Sequence, residues 1–307
     1  MDTIRIVTRS SPLALKQTNI VAEQLTAMHP TLKIAIIPIV SEGDKQTEVS
    51  LAKIGGKGLF IKSLERALLR NKADIAVHSM KDVPCEMPAG FNIAAALKRE
   101  DPSDAFVSNH YADLAELPKH AIVGTSSLRR QCQLKHHYPH LRVQPLRGNV
   151  GTRLAKLDNG ECAALILAAA GLKRLGLSER IRSLLPHRIS LPAIGQGVIG
   201  IEMRDGHQLS PYITALNDPI SSACLQAERA LSLALGGDCT MPLAAYAHHD
   251  NGNIYISSLI GDTQGKHILR DQRQGRIEQN KQLGQAAANA LLSQGAATII
   301  ASLQNNE

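Results

Sequence analysis

The sequence predicts an α/β protein of two doubly wound lobes, followed by a smaller α+β domain. Three observations carry that prediction. Short apolar runs alternate with stretches of helical periodicity as far as residue 202, and segments rich in Gly, Ser and Arg repeatedly follow the apolar runs. From residue 219 the pattern changes to an amphipathic helix, alternating runs and a final Ala-rich helix. A chain of 307 residues is also too long for one small core and divides into two or three domains.

The first strand is built on Ile4-Arg5-Ile6-Val7 and runs into Arg9-Ser10-Ser11-Pro12, where Ser11 is the N-cap and Pro12 the first helical residue. Leu13, Ile20, Leu25 and Met28 mark the apolar face of a helix that ends near His29-Pro30. Strand 34–40 leads into a polar segment, 41–58, whose Lys53-Ile54-Gly55-Gly56-Lys57-Gly58 reads as a flexible lid. It lacks the spacing and the Ser/Thr of a P-loop. A helix from about Leu59 to Arg70 carries Ile61, Leu64 and Leu68 at helical spacing. The next strand, Ile75 to Val77, stops at His78-Ser79-Met80-Lys81-Asp82-Val83-Pro84. Pro84 blocks continuation, so Lys81 and Asp82 stand just past the carboxyl end of the strand, where open α/β sheets bind ligands. The order βαβαβ implies a parallel sheet.

Strand 92–97 ends at Lys98-Arg99-Glu100-Asp101-Pro102, which reads as a crossing to a second lobe. There, strand 121–124 breaks at Gly124 to Arg130, strand 141–146 at Arg147 to Arg153, and strand 164–168 at Ala169 to Arg174; each break starts a helix. Residues 190–197 return the chain to a strand of the first lobe, Val198 to Glu202. Residues 219–235 then form an amphipathic helix with Ile220, Ala223, Ala227 and Ala230 on one face. Asp250-Asn251-Gly252 marks a hairpin and 278–293 the last helix. The expected domains are 1–97 with 198–216, 103–191, and 219–307.

Net charge is +7, aromatic residues make up 3% of the chain and Trp is absent, so the stacking platforms of single-strand nucleic-acid binders are not expected. Five dispersed cysteines without a C-x-x-C pair argue against a disulfide framework and against a zinc site; no metal is expected. The N-terminus reads directly as a strand rather than as a leader, and no apolar run reaches membrane-spanning length, from which a cytoplasmic location is expected. Arg9, Lys81, Arg129, Arg130, Arg147, Arg153 and Lys173-Arg174 gather at or after strand-to-helix junctions, while Ser127 and Asn149 stand at helix N-termini. That pattern describes a cleft for carboxylates or phosphates and not a nucleic-acid stripe.

Seven segments taken together resemble the porphobilinogen deaminases. They are Arg-Ser-Ser-Pro-Leu-Ala-Leu (9–15), Lys-Ile-Gly-Gly-Lys-Gly-Leu-Phe (53–60), His-Ser-Met-Lys-Asp-Val-Pro (78–84), Val-Gly-Thr-Ser-Ser-Leu-Arg-Arg (123–130), Leu-Arg-Gly-Asn-Val-Gly-Thr-Arg (146–153), Leu-Pro-Ala-Ile-Gly-Gln-Gly (191–197) and Gly-Gly-Asp-Cys-Thr-Met-Pro (236–242). The resemblance spans essentially the whole chain. One departure is Asp238, where many members place a second small residue before the cysteine.

The resemblance implies two lobes like those of periplasmic binding proteins and a third domain whose cysteine, matching Cys239, carries a covalent dipyrromethane. It implies head-to-tail condensation of four porphobilinogen molecules into hydroxymethylbilane, with ammonia released at each step. Asp82 matches the catalytic carboxylate, a group suited to stabilising an azafulvenium and handling its protons. Lys81, Ser127, Arg129 and Arg130 are expected at the cofactor. Arg9, Ser11, Lys53, Lys57, Phe60, Arg147, Arg153, Arg174 and Gln196 are expected at the substrate and the growing oligopyrrole. The guanidinium fork suits a cleft for many carboxylates. A monomer is expected, with no nucleic-acid or membrane partner. A two-lobed binding protein for an anionic small molecule, without chemistry, is the alternative reading; it leaves Cys239 in a third domain unexplained.

Overall fold

A computed structural model of the chain describes residues 3–40, 61–237 and 241–304. Of the expected site residues, Lys53, Lys57, Phe60 and Cys239 lie outside the described residues, as do Leu59, Asp238, Thr240 and the segment 41–58 read as a lid. The described chain forms two compact units, 1–100 with 198–223, and 101–197 with 224–307.

The first unit holds a five-stranded sheet. Its strands are β1 (Thr3–Arg9), β2 (Lys33–Ile39), β3 (Ile75–Ser79), β4 (Phe91–Ala96) and β10 (Ile199–Arg204), in the order β2-β1-β3-β10-β4. β1, β2 and β3 are parallel, as the βαβαβ pattern requires. β10 runs antiparallel to both β3 and β4, so the sheet is mixed rather than parallel. Helix α1 (Pro12–Met28) starts where expected: Ser11 accepts from the Ala14 amide at 3.3 Å and Pro12 opens the helix. Its buried face is Gln17, Thr18, Val21 and Leu25, whereas Met28, placed on that face by periodicity, is 47% exposed. The two polar residues are tolerated inside because each is hydrogen-bonded, Gln17 to Ser79 and Thr18 to the Ala14 carbonyl. Helix α2 (Lys62–Leu69) buries Leu64, Ala67 and Leu68 against Val7 and Ala76.

The second unit contains a sheet of the same plan. Its strands are β5 (Asp104–Val107), β6 (Ile122–Gly124), β7 (Arg142–Gln144), β8 (Ala164–Ala168) and β9 (Ser183–Leu184), in the order β7-β6-β8-β5-β9. Here too three parallel strands are followed by an antiparallel one, β5, which the sequence reading missed. Asp104-Ala105-Phe106-Val107 has only three apolar residues behind a charge, too short a run to register as a strand, yet all four residues are buried. Helices α3 (Leu128–His137), α4 (Val150–Asp158) and α5 (Ala169–Arg174) begin at the expected breaks. Ser127 caps α3 and Asn149 caps α4.

After α6 (Ser210–Thr214), helix α7 (Pro219–Ala234) contains the boundary between the units, and its buried stripe includes Ala223, Ala227 and Leu231. Ile220, expected on that stripe, is 45% exposed in the first turn. A three-stranded antiparallel sheet follows, made of β11 (Leu243–Asp250), β12 (Asn253–Gly261) and β13 (Ile268–Arg276). Its first hairpin turns at Asn251 and Gly252, both at positive φ, as a two-residue hairpin turn demands. Helices α8 (Asn280–Ser293) and α9 (Ala296–Gln304) complete the chain; α9 was not anticipated.

Candidate functional site

In the first unit, parallel strands β1 and β3 lie side by side while β2 flanks β1 on its other side, so the chain changes direction between β1 and β3. The carboxyl ends of such a pair leave a crevice outside the sheet. Arg9 ends β1 and Ser11 caps α1. A turn of 3₁₀ helix, Met80–Asp82, follows β3 and carries Lys81 and Asp82. Arg9, Ser11, Gln17, Ser79 and Asp82 line one pocket. Arg9 Nη1 stands 4.0 Å from Asp82 Oδ2, and the Asp82 side chain is 41% exposed. The carboxylate is therefore held beside a cation while still open to a bound molecule. Ser11 accepts a bond from the helix N-terminus, which leaves its hydroxyl proton to donate to a carboxylate. Gln17, paired with the Ser79 hydroxyl at 2.7 Å, is a lining residue that sequence reasoning missed.

In the second unit, Arg129 and Arg130 are not directed to solvent. Both are buried and converge on Asp104, the first residue of β5. Arg129 donates from Nη1 at 2.8 Å and from Nη2 at 3.2 Å; Arg130 donates from Nε at 3.0 Å and Nη2 at 2.7 Å. Ser190 Oγ and Gln196 Nε2 add bonds at 2.6 and 2.9 Å. Burial alone pushes the Asp104 carboxyl up, but the two guanidinium charges and their hydrogen bonds outweigh it and hold the group far below the usual carboxylate range. Asp104 is the residue that organises this cluster, and sequence reasoning missed it together with its strand.

Of the other cations expected at the site, Arg147 lies on the loop after β7, Arg153 in the first turn of α4 and Arg174 at the end of α5. Arg147 precedes Gly148, whose φ of +115° suits glycine and whose missing Cβ would meet Thr152 Cγ2 at 2.7 Å. Arg153 Nε donates to the Gly148 carbonyl at 2.8 Å. Arg174 Nη2 donates to the Gly197 carbonyl at 2.6 Å, bracing the turn that holds Gln196. The structure thus gathers Arg9, Ser11 and Asp82 in one unit. In the other, Arg129, Arg130 and Gln196 meet at Asp104, while Ser127, Arg147 and Arg153 stand at the strand-to-helix junctions. Among the described residues no group of three or more His, Cys, Asp or Glu is placed to hold a metal ion.

Residues 4–210 match the family model described as "Porphobilinogen deaminase, dipyromethane cofactor binding domain", and residues 222–293 match "Porphobilinogen deaminase, C-terminal domain". The chain belongs to the porphobilinogen deaminase family. It is 50% identical over 304 residues to the porphobilinogen deaminase of Thiobacillus denitrificans, covering 99% of each chain. Among solved structures it is similar to a periplasmic substrate-binding protein of an ABC transporter from Coxiella burnetii (TM-score 0.44, 13% identity, 74% of this chain and 96% of that one). It is also similar to the VFT2 domain of Bordetella pertussis BvgS (TM-score 0.43, 15% identity, 74% and 91%).

The family's activity is that of a transferase, hydroxymethylbilane synthase, which joins porphobilinogen units with loss of ammonia in tetrapyrrole biosynthesis. The binding-protein alternative finds no support in these matches. Dipyrromethane is the family's cofactor, and the residues of the second unit fit a group that carries carboxylates. Two guanidiniums against one carboxylate leave an excess of buried positive charge around Asp104. Arg129 Nε is a donor buried there without a hydrogen-bond partner, as a carboxylate would require. The described cysteines differ in exposure, with Cys85 half-buried and the other three, Cys132, Cys162 and Cys224, buried. Burial first of all pushes the Cys132 thiol up to about 12 and raises that of Cys162.

Proposed function

We propose that the pocket between β1 and β3 is where condensation takes place, with Asp82 as the catalytic carboxylate. The observation that carries this reading is the approach of Arg9 to Asp82 at 4.0 Å in an open pocket at the carboxyl ends of parallel strands. When the aminomethyl nitrogen leaves porphobilinogen, the ring becomes an azafulvenium, and an adjacent carboxylate stabilises that charge. Arg9 orients Asp82, and its guanidinium is the cation beside which a substrate carboxylate is placed. Lys81, beside Asp82 in the same turn, supplies a second cation.

Cys239 is the thioether anchor in this reading, in a C-terminal domain spanning 219–307; the two α/β domains are 1–97 with 198–216, and 103–191. When bound, dipyrromethane supplies the primer for the first condensation. Ser127, Arg129, Arg130 and Lys81 hold its carboxylates. Arg147, Arg153, Arg174 and Gln196, with Lys53, Lys57 and Phe60 of the segment outside the described residues, accommodate the growing oligopyrrole. The enzyme acts as a cytoplasmic monomer without nucleic-acid or membrane partners.

Intact mass of purified protein tests the reading at its centre. A mass increment of one dipyrrole, mapped to the peptide that contains Cys239, is expected; an increment on another cysteine overturns the assignment. Turnover of Asp82→Asn tests the pocket.

A further inference from the structure

His78, which lines the pocket that holds Asp82, belongs to a buried acid–base pair that the proposed condensation leaves without a role. His78 is on β3 and Glu202 on β10. The antiparallel register sets Gly200 opposite His78 and Ala76 opposite Glu202, so the two side chains are diagonal neighbours on one face of the sheet. His78 Nε2 lies 2.8 Å from Glu202 Oε2. The histidine is 7% exposed and the glutamate 0%. Among the described residues this is the one hydrogen bond of either side chain: Glu202 Oε1 is buried without a partner, and His78 Nδ1 has none.

A pair kept only for packing would have both carboxylate oxygens satisfied, since a buried polar atom left unpaired costs free energy. Here the bonding is one-sided and serves to orient the ring. A carboxylate that accepts from Nε2–H sets the tautomer in which Nδ1 is a proton acceptor. His78 lines the same pocket as Arg9, Ser11 and Asp82. The charged groups that face it are Glu202 from β10, Glu65 from α2, and Arg9 and Asp82 across the pocket. Burial, and then Glu202, push the Glu65 carboxyl up, so the acidic surroundings of the ring extend into α2.

The geometry points to His78, oriented by Glu202, as a catalytic base of the condensation in addition to Asp82. This inference rests on the assignment of the pocket as the condensation site. At each step the C–N bond of the aminomethyl group, present as its ammonium, breaks and both electrons leave on nitrogen as ammonia. A C–C bond forms from the methylene carbon to the free α-carbon of the neighbouring pyrrole, which must then give up its proton. His78 Nδ1 accepts that proton, becoming an imidazolium paired with Glu202, and passes it to the departing ammonia, which leaves as ammonium. Asp82 meanwhile faces the azafulvenium.

The test compares His78→Gln, Glu202→Gln and Asp82→Asn as holoenzymes, measuring kcat, KM and the pH profile of kcat with porphobilinogen. Dipyrromethane content is taken by intact mass. His78→Gln should lower kcat about 10²-fold with little change in KM, the loss expected for a positioned base, and should remove the acidic limb of the profile. Glu202→Gln, which keeps the hydrogen bond but removes the charge, should move the acidic limb to lower pH, because a ring without an ionised neighbour holds its proton less tightly. A wild-type kcat in His78→Gln, or an unmoved acidic limb in Glu202→Gln with cofactor attached, overturns the proposal. Failure of both variants to fold assigns the pair to stability and overturns it as well. If Asp82→Asn turns over normally while the His78 and Glu202 variants behave as expected, the role of Asp82 fails and that of His78 stands.

Discussion

Arg130 grips one oxygen of Asp104 with two nitrogens, Nε at 3.0 Å and Nη2 at 2.7 Å, while Arg129 takes the other oxygen at 2.8 Å. The two arginines are adjacent at the start of α3, and the aspartate opens a strand that follows the crossing from the first unit. A doublet that looks in sequence like a pair of free cations is therefore tied to its own scaffold. Its residual positive charge is what remains for a ligand.

Removal of the acid should destabilise the protein. Asp104→Ala leaves two buried guanidiniums without their counter-charge, a change that costs about 3–5 kcal/mol. Urea denaturation followed by circular dichroism measures it. A loss below about 0.5 kcal/mol, the level of an ordinary surface substitution, would contradict the structural role.

The same carboxyl makes stability depend on pH. Because its folded-state value lies far below the ordinary 3.8, the stability it contributes is fully present above 3.8 and is lost as pH falls below it toward the folded value. The stability gap between wild type and Asp104→Asn should therefore be constant from about pH 8 to pH 5 and narrow below about pH 4. A gap that widens with acid would show the sign to be wrong.

Asp82→Asn preserves shape and removes the charge. Condensation should slow by about 10²–10⁴-fold, the usual range for a positioned acid–base group. Substrate binding should survive, because loss of an anion beside Arg9 does not oppose a carboxylate-bearing substrate. Pre-steady-state binding and turnover, measured on one preparation with its cofactor content, separate the two effects.

Arg153→Leu should impair chain growth. Its Nε is committed to the Gly148 carbonyl, and its substitution both loosens that loop and removes a charge-assisted contact of about 1.5–3 kcal/mol. Mass spectra of enzyme mixed with porphobilinogen should show adducts that stop short of the full chain. Wild-type product yield would place Arg153 outside the binding surface.

Gly284→Ala tests the C-terminal packing. The added Cβ would run into the backbone carbonyl of Ala227 on α7, which cannot rotate away as a side chain would. Overpacking of this kind costs about 1–3 kcal/mol. A thermal midpoint equal to wild type would show that α8 can shift to make room.

Features set by near neighbours along the chain could be read from the residues alone. The cap at Ser11, the turn after Ser79 that presents Asp82, the helix starts at Ser127 and Asn149, and the Asn251-Gly252 hairpin were all legible, because each rests on residues within a few positions of one another. Motif order was equally local and was enough to suggest the family. Pairings across long stretches of chain belonged to the tertiary structure. Nothing near β5 or β10 in sequence indicates that each joins its sheet antiparallel, since strand direction is set by where the crossing delivers the chain. Asp104 meets Arg129 and Arg130 across some 25 positions, and His78 meets Glu202 across 124. A charged side chain carries the same letter whether it is solvated or buried beside its opposite, and only the fold brings the partner that decides which.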